Sequence, residues 1–241
     1  TVSHLPFGDS PIRSPYYVTK ADFVACHNPS YIIKGFKMVR DVKPGGTFLV
    51  NCQWSDEEFA EHLPAVAKRY IAKNNVNVYL IDAIDLAAKV GMGKRTNTVL
   101  QSAFFALAKV LPAEDALQYM KDAATKSYMK KGQAIVDANH KAIDAGATAF
   151  HKFEVPADWA TAEDKPSELS IEGRAAIVEQ VKNLLEPINR MDGDSLPVSA
   201  FEKHVDGQWE LGASQYEKRG VAVMVPHWDE TKCIQCNQCS Y

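Results

Sequence analysis

Between residues 21 and 82 the chain alternates three short β-rich runs with two helix-length stretches, which restricts it to few architectures. Ala21-Asp22-Phe23-Val24-Ala25-Cys26 is closed by His27-Asn28-Pro29, as a strand ending at a proline turn would be. Tyr31 to Arg40 then sets Ile32, Ile33, Phe36 and Val39 at helical spacing. Lys43-Pro44-Gly45-Gly46 reads as a turn, and Thr47-Phe48-Leu49-Val50-Asn51 as a second strand. Ser55 with Glu58 three residues on has the form of a capping box opening the next helix. Val76 to Asp82 supplies a third strand. Strands separated by helices favour a parallel sheet with right-handed crossovers. The expected fold is therefore α/β, a Rossmann-like parallel sheet flanked by helices, with a helical C-terminal part and an irregular tail.

From Thr96 to Gly146 the pattern turns helical, with Pro112 at a helix start, Glu114-Asp115 in its first turn and Gly132 separating two helices. Residues 154–170 are rich in Pro, Asp, Glu and Ala without a clear period and read as a surface linker. One more helix is expected from Ile171 to Leu185. After Pro187 the chain is punctuated by Gly and Pro with aromatics interleaved, as in an ordered tail wrapping another surface.

Apolar residues make up 46% of the 241, enough to bury a sizeable core. Lys and Arg total 27 against 30 for Asp and Glu, a balance that gives no reason to expect nucleic acid. No uninterrupted apolar run approaches the length of a membrane span. Thr1-Val2-Ser3-His4-Leu5, with no start methionine or basic leader, reads as the interior of a longer protein.

Of five cysteines, Cys26 and Cys52 are isolated in apolar surroundings, whereas Cys233, Cys236 and Cys239 crowd the last nine residues. That distribution does not resemble a secreted disulfide framework and fits a reducing compartment. Cys233-Ile234-Gln235-Cys236-Asn237-Gln238-Cys239 is C-x2-C-x2-C, the spacing of a bacterial ferredoxin half-motif that ordinarily continues x3-C-P. Zinc sites usually offer C-x2-C pairs separated by a longer stretch, so the third cysteine favours iron–sulfur chemistry. A fourth ligand is expected from a second motif further downstream.

Several motifs stand in a fixed order. They are Asp-Phe-Val-Ala-Cys-His-Asn-Pro at 22–29, Gly91-Met92-Gly93-Lys94-Arg95-Thr96-Asn97, Leu196-Pro197-Val198-Ser199-Ala200-Phe201, Ser214-Gln215-Tyr216-Glu217-Lys218-Arg219-Gly220 and the terminal cysteine motif. With them the whole chain resembles the middle of single-chain pyruvate:ferredoxin (flavodoxin) oxidoreductases. The resemblance implies an α/β γ-type domain over 1–153, N-terminally truncated. A linker with one helix and an extended wrapping segment follows over 154–226, then the start of a ferredoxin-type domain over 227–241.

It further implies an enzyme that converts pyruvate and CoA to acetyl-CoA and CO2, passing electrons through 4Fe–4S clusters to ferredoxin or flavodoxin. Thiamine diphosphate and Mg would be bound by domains outside this chain, in a homodimeric parent enzyme. The isolated segment would be inactive. Its setting would be the cytoplasm, or a hydrogenosome-type organelle in an anaerobic protist. The alternative is an electron-carrier or docking module of another 2-oxoacid oxidoreductase. An independent Rossmann-type nucleotide enzyme is disfavoured, because its glycine fingerprint and acidic ribose ligand are not found.

Cys233, Cys236 and Cys239 are the candidate metal ligands. Gly91 to Asn97 leads into a helix, where glycines allow close backbone approach and Lys94 and Arg95 favour an anion; the same residues also suit a plain turn with a cap. The resemblance makes Arg95 and Asn97 candidates for CoA or the cofactor-bound intermediate. It adds Ser3 and His4, for which a solvated or packing role is equally compatible. His27-Asn28 ends a strand, where α/β proteins often place ligands, although a structural hydrogen-bonding role is the commoner one. Cys26 and Cys52 read as buried small hydrophobes. Asp56-Glu57-Glu58 reads as a helix first turn and Lys126 to Lys131 as a solvated face, with docking of an acidic ferredoxin as the weaker alternative.

Overall fold

Phe48, Leu49 and Val50 are each at most 1% exposed, so their strand is covered on both faces. In the computed structural model, which describes residues 3–13, 17–164, 171–217 and 226–240, that strand lies inside a four-stranded sheet. The order is β1 (Ala21–Cys26), β2 (Val42–Asn51), β3 (Asn77–Ile81) and β4 (His151–Phe153). β1, β2 and β3 are mutually parallel, and β4 runs antiparallel to β3.

Side-chain alternation along β2 sends Phe48 and Val50 into one core and Leu49 into another. The first core is closed by α1 (Ser30–Ile33), a 3-10 turn (Lys37–Asp41), α2 (Asp56–His62) and α3 (Ala65–Lys73), through Ile32, Val39, Phe59, Leu63, Ala67 and Ile71. The second is closed by α4 (Ala83–Lys89), α5 (Asn97–Ala108) and α7 (Gln133–Gly146), while α6 (Ala113–Tyr128) packs outside α7 through Met120, Ala124 and Ile143. The result is the expected α/β arrangement with helices on both faces.

The capping box forms as read. Ser55 Oγ accepts the Glu58 N–H, and the Glu58 carboxylate accepts the Ser55 N–H at 2.9 Å. Gly132, at φ +103°, separates α6 from α7. α5 and α7 meet at small residues: Ser102 Oγ donates to the Ile143 carbonyl, Thr98 Oγ1 donates to Asn139 Oδ1, and Gly146 lies directly against the Val99 backbone.

Four local expectations are corrected. Residues 31–40 do not form one helix: Gly35, at φ +69°, stops α1. Its N–H donates to Ile32 O and that of Phe36 to Tyr31 O, the paired bonds of a Schellman stop.

The Lys43–Gly46 turn is absorbed into β2 as an outward loop. Between the pairs Ala21↔Val42 and Phe23↔Thr47, β1 advances two residues and β2 five.

Residues 154–164 are not purely surface. Trp159, in a 3-10 turn (Ala157–Thr161), is 5% exposed and stacks on Phe153 at 5.3 Å.

The helix expected over 171–185 starts later, as α8 (Ala175–Gln180), with Gly173 at φ +126° before it. It passes through a π-helical turn (Val181–Leu185) into α9 (Glu186–Asn189). Pro187 has no N–H and would clash with the carbonyl of residue 183 in a regular helix, and the wider turn relieves that conflict.

Contacts divide the chain into two units, residues 1–170 with 190–192, and 171–189 with 193–241. The second is built around Ile177, Val181 and Ala213. Tyr216 ties it together, its hydroxyl donating to Glu172 O and its carbonyl accepting from Asn189 Nδ2. Gln180 Oε1 accepts the Glu210 N–H, while its Nε2 is buried with no acceptor among the described residues. No described helix is long and apolar enough to cross a membrane.

Candidate functional site

The C-terminal ends of the three parallel strands form one polar edge, organised by Asn51. This side chain is 3% exposed, an unusual place for an amide unless both its ends are bonded. Its Nδ2 donates to His27 O and its Oδ1 accepts the Ala83 N–H, both at 3.0 Å. One residue on β2 thereby links the exit of β1 to the first turn of α4. The Cys52 N–H donates to Ile81 O beside it. Asp82 caps α4 by accepting from Ile84 and Asp85, and Gln53 reaches its second oxygen at 3.4 Å. Asp56 and His151 pair at 2.8 Å, joining the start of α2 to β4.

α4 then delivers the glycine-containing loop. Gly91 and Gly93 sit at φ +84° and +61°, a conformation that L side chains adopt with strain. Met92 between them is buried, and its N–H returns to Ala87 O, so the loop is pinned at its centre. Lys94, Arg95 and Asn97 are exposed, and Asn97 is the first residue of α5, whose N-cap Thr96 makes no side-chain capping bond. Exposed cations beside a helix N-terminus suit an anionic group.

Ser3 and His4 lie elsewhere. His4 Nδ1 accepts the Val18 N–H ahead of β1. The ring also lies near Asp41, just before β2. Burial pushes the Asp41 carboxyl above its usual range, against the pull of Lys37, Lys20, Arg40 and His4. Phe104, about two turns along α5 from Asn97, packs edge-on against Phe23 near the start of β1. Ser3 and His4 are thus at the end where strands begin, and Arg95 and Asn97 at the end where they finish.

Cys26 and Cys52 are 1% and 3% exposed, as read from their apolar surroundings. Burial pushes the Cys26 thiol up to about 12, and it donates to Asn28 O. Burial raises Cys52 as well.

Cys233 is partly exposed, and Cys236 and Cys239 are exposed. The alternating residues Gln235 and Asn237 are left-handed, and the Gln235 N–H points at Cys233 Sγ at 3.4 Å. That contact, with the Trp228 side chain, holds the Cys233 thiol below its ordinary value. Soft donors at this spacing and a loop turning its N–H toward sulfur match an iron–sulfur ligand set. The three thiols are not gathered: no group of three His, Cys, Asp or Glu among the described residues is placed to hold a metal ion.

Sequence reading missed Asn51, Asp82 and His151. An Asn closing an otherwise apolar strand was the available signal for the first. The exposed lysines 126, 130 and 131 lie as a solvated face would, Lys131 resting over the Tyr128 ring at 5.6 Å.

Residues 1–149 match the family profile described as pyruvate ferredoxin/flavodoxin oxidoreductase, and residues 168–222 match one described as a domain of unknown function. The pyruvate-flavodoxin oxidoreductases of Klebsiella pneumoniae and Enterobacter agglomerans are 44% and 46% identical over 241 residues. The pyruvate:ferredoxin oxidoreductase of Moorella thermoacetica is 44% identical over 243 residues. Each alignment takes in 100% of this chain and 20% of the relative, so the chain spans about a fifth of their length. On the profile match and these identities, the chain belongs to the pyruvate ferredoxin/flavodoxin oxidoreductase family.

Proposed function

We propose that this chain is a segment of an enzyme that oxidises pyruvate with CoA to acetyl-CoA and CO2 and hands two electrons, one at a time, to ferredoxin or flavodoxin. The observation that carries this reading is that relatives bearing those names align with the chain from end to end at 44–46% identity. The cysteine motif supports it independently, because sequential one-electron transfer requires redox centres and this ligand spacing suits a 4Fe–4S cluster.

In this reading the segment divides into a γ-type domain over 1–153, a connecting part over 154–226 and the opening of a cluster domain from 227. Thiamine diphosphate with Mg, held by other parts of a homodimeric parent, supplies the carbanion chemistry of decarboxylation. The residues here bind and orient. Arg95 and Lys94 offer charge to CoA phosphates, and Asn97 offers an amide at the mouth of α5. Ser3 and His4 are candidates for a separate contact with so long a ligand. Cys233, Cys236 and Cys239 would hold three irons of one cluster, with the Gln235 N–H stabilising thiolate charge at Cys233.

The test is anaerobic purification of the full-length parent, with iron and sulfide analysis and pyruvate- and CoA-dependent reduction of the carrier. Absence of pyruvate-dependent reduction overturns the reading. Within the active parent, Asn97→Ala is expected to raise KM for CoA about tenfold, the loss of one good polar contact. Unchanged CoA dependence removes Asn97 from the site.

A further inference from the structure

Among its described residues the second unit buries little apolar surface. Its core cluster there consists of Ile177, Val181 and Ala213, with Ile171, Leu185 and Tyr216 only partly covered, and Leu184 is buried as well. A core that small does not offset the conformational entropy of a segment of this length.

Large apolar side chains lie instead on its outside. Residues three apart eclipse one another in a 3-10 helix, so Val198, Phe201 and His204 share an edge of the turn Val198–His204. Trp209 continues that edge, stacked on His204 with ring centroids 5.3 Å apart and planes 14° from parallel. Val198 is 91% exposed, and Phe201 and Trp209 are exposed too. An edge of exposed apolar side chains of this kind is a mark of a protein interface.

The charges around the face narrow the choice of partner. Lys203 is paired with Glu179 at 2.6 Å and Arg174 with Glu210 at 2.9 Å. An acidic electron carrier is steered and held by uncompensated cations, and here these two are already matched by carboxylates of the same unit. With those two cations matched, the apolar edge itself is the feature that suits another protein surface. Four fifths of the length of the three relatives lies outside this chain, which is ample protein to supply one.

We infer that the Val198–Phe201–His204–Trp209 edge is covered in the parent enzyme by a region of the same polypeptide outside these 241 residues. The inference rests on the reading of this chain as a segment of a longer enzyme.

The test places a photo-crosslinking side chain in the full-length parent, as Val198→p-benzoylphenylalanine and, separately, Phe201→p-benzoylphenylalanine. After irradiation, adducts are mapped by mass spectrometry. The expected product is an intrachain adduct to residues outside the segment, with no shift of the denatured polypeptide's mass. Doubling of that mass would identify a second copy, and a rise by the mass of added ferredoxin or flavodoxin would identify the carrier. An adduct back into the segment would place the cover there, and no adduct at either position would leave the face in solvent. Any of these four results overturns the inference. Pyruvate-dependent reduction by the same preparations is read separately, so loss of the functional reading is not confused with loss of the interface.

Discussion

Asn51 Oδ1 accepts the backbone N–H of Ala83 at 3.0 Å, while Asn51 Nδ2 donates to His27 O at the same distance. The buried amide thereby joins the exits of β1 and β2 to the first turn of α4, which follows β3. Asn51→Leu leaves one donor and one acceptor in a dry strand edge. It is expected to cost about 2 kcal/mol or more, since each unsatisfied buried group costs about 1–3 kcal/mol. Urea unfolding of the segment measures the loss, and a change below about 0.5 kcal/mol would show that water replaces the amide at no cost.

Gly146 closes α7 where a Cβ would strike Val99 O and stand 3.0 Å from Ser102 Cβ. The obstacle is backbone, so a rotamer change cannot relieve it. Gly146→Ala is expected to force α5 and α7 apart and cost about 1–3 kcal/mol. Amide exchange near Ser102 and Ile143 should rise together, because Ser102 Oγ donates to the Ile143 carbonyl across that contact. Unaltered exchange at both would show that the helices can yield.

Trp159 stacks on Phe153 at 5.3 Å under the Lys68 ammonium, 5.7 Å from the indole centroid. Trp159→Ala is expected to cost about 3–5 kcal/mol, the range for emptying a buried aromatic site. A denaturation midpoint equal to that of the parent sequence would return residues 157–161 to the status of a detachable loop.

The thiols should separate into two classes. Native, metal-free segment at pH 8 is expected to react with a thiol reagent at Cys233, Cys236 and Cys239 and to spare Cys26 and Cys52 until denatured. The folded value for Cys26, about 12, lies above its ordinary 9.0. The preference of the native state for the neutral thiol is therefore complete below about pH 9 and is lost as pH rises toward 12. Cys26→Ala should accordingly flatten part of the alkaline fall in stability. Five fast thiols in the native protein would contradict the burial.

The fold was legible where local and tertiary preferences agree. Thr47 to Asn51 reads as a strand from its β-rich text and the glycine turn before it, and Ser55 with Glu58 specifies the cap of α2 without outside help. β4 was not legible, because His151-Lys152-Phe153 carries no period and becomes a strand only by pairing with Val78, Tyr79 and Leu80. Trp159 was hidden by the Pro-, Asp- and Ala-rich text around it, since one aromatic in a polar stretch shows no pattern.

At the site, the glycines at 91 and 93 announced a backbone excursion. The separation of His4 from Asn97 was not readable, for it depends on the direction in which α5 crosses the sheet.

The π-helical turn over Val181–Leu185 has a consequence for heading as well as for strain. Each residue of an α-helix turns the chain by about 100°, so one extra residue in a wide turn re-aims whatever follows by about that angle. Deleting a single residue there would bring back the Pro187 conflict and also send the downstream polypeptide off in another direction. In this stretch, length is constrained as tightly as chemistry.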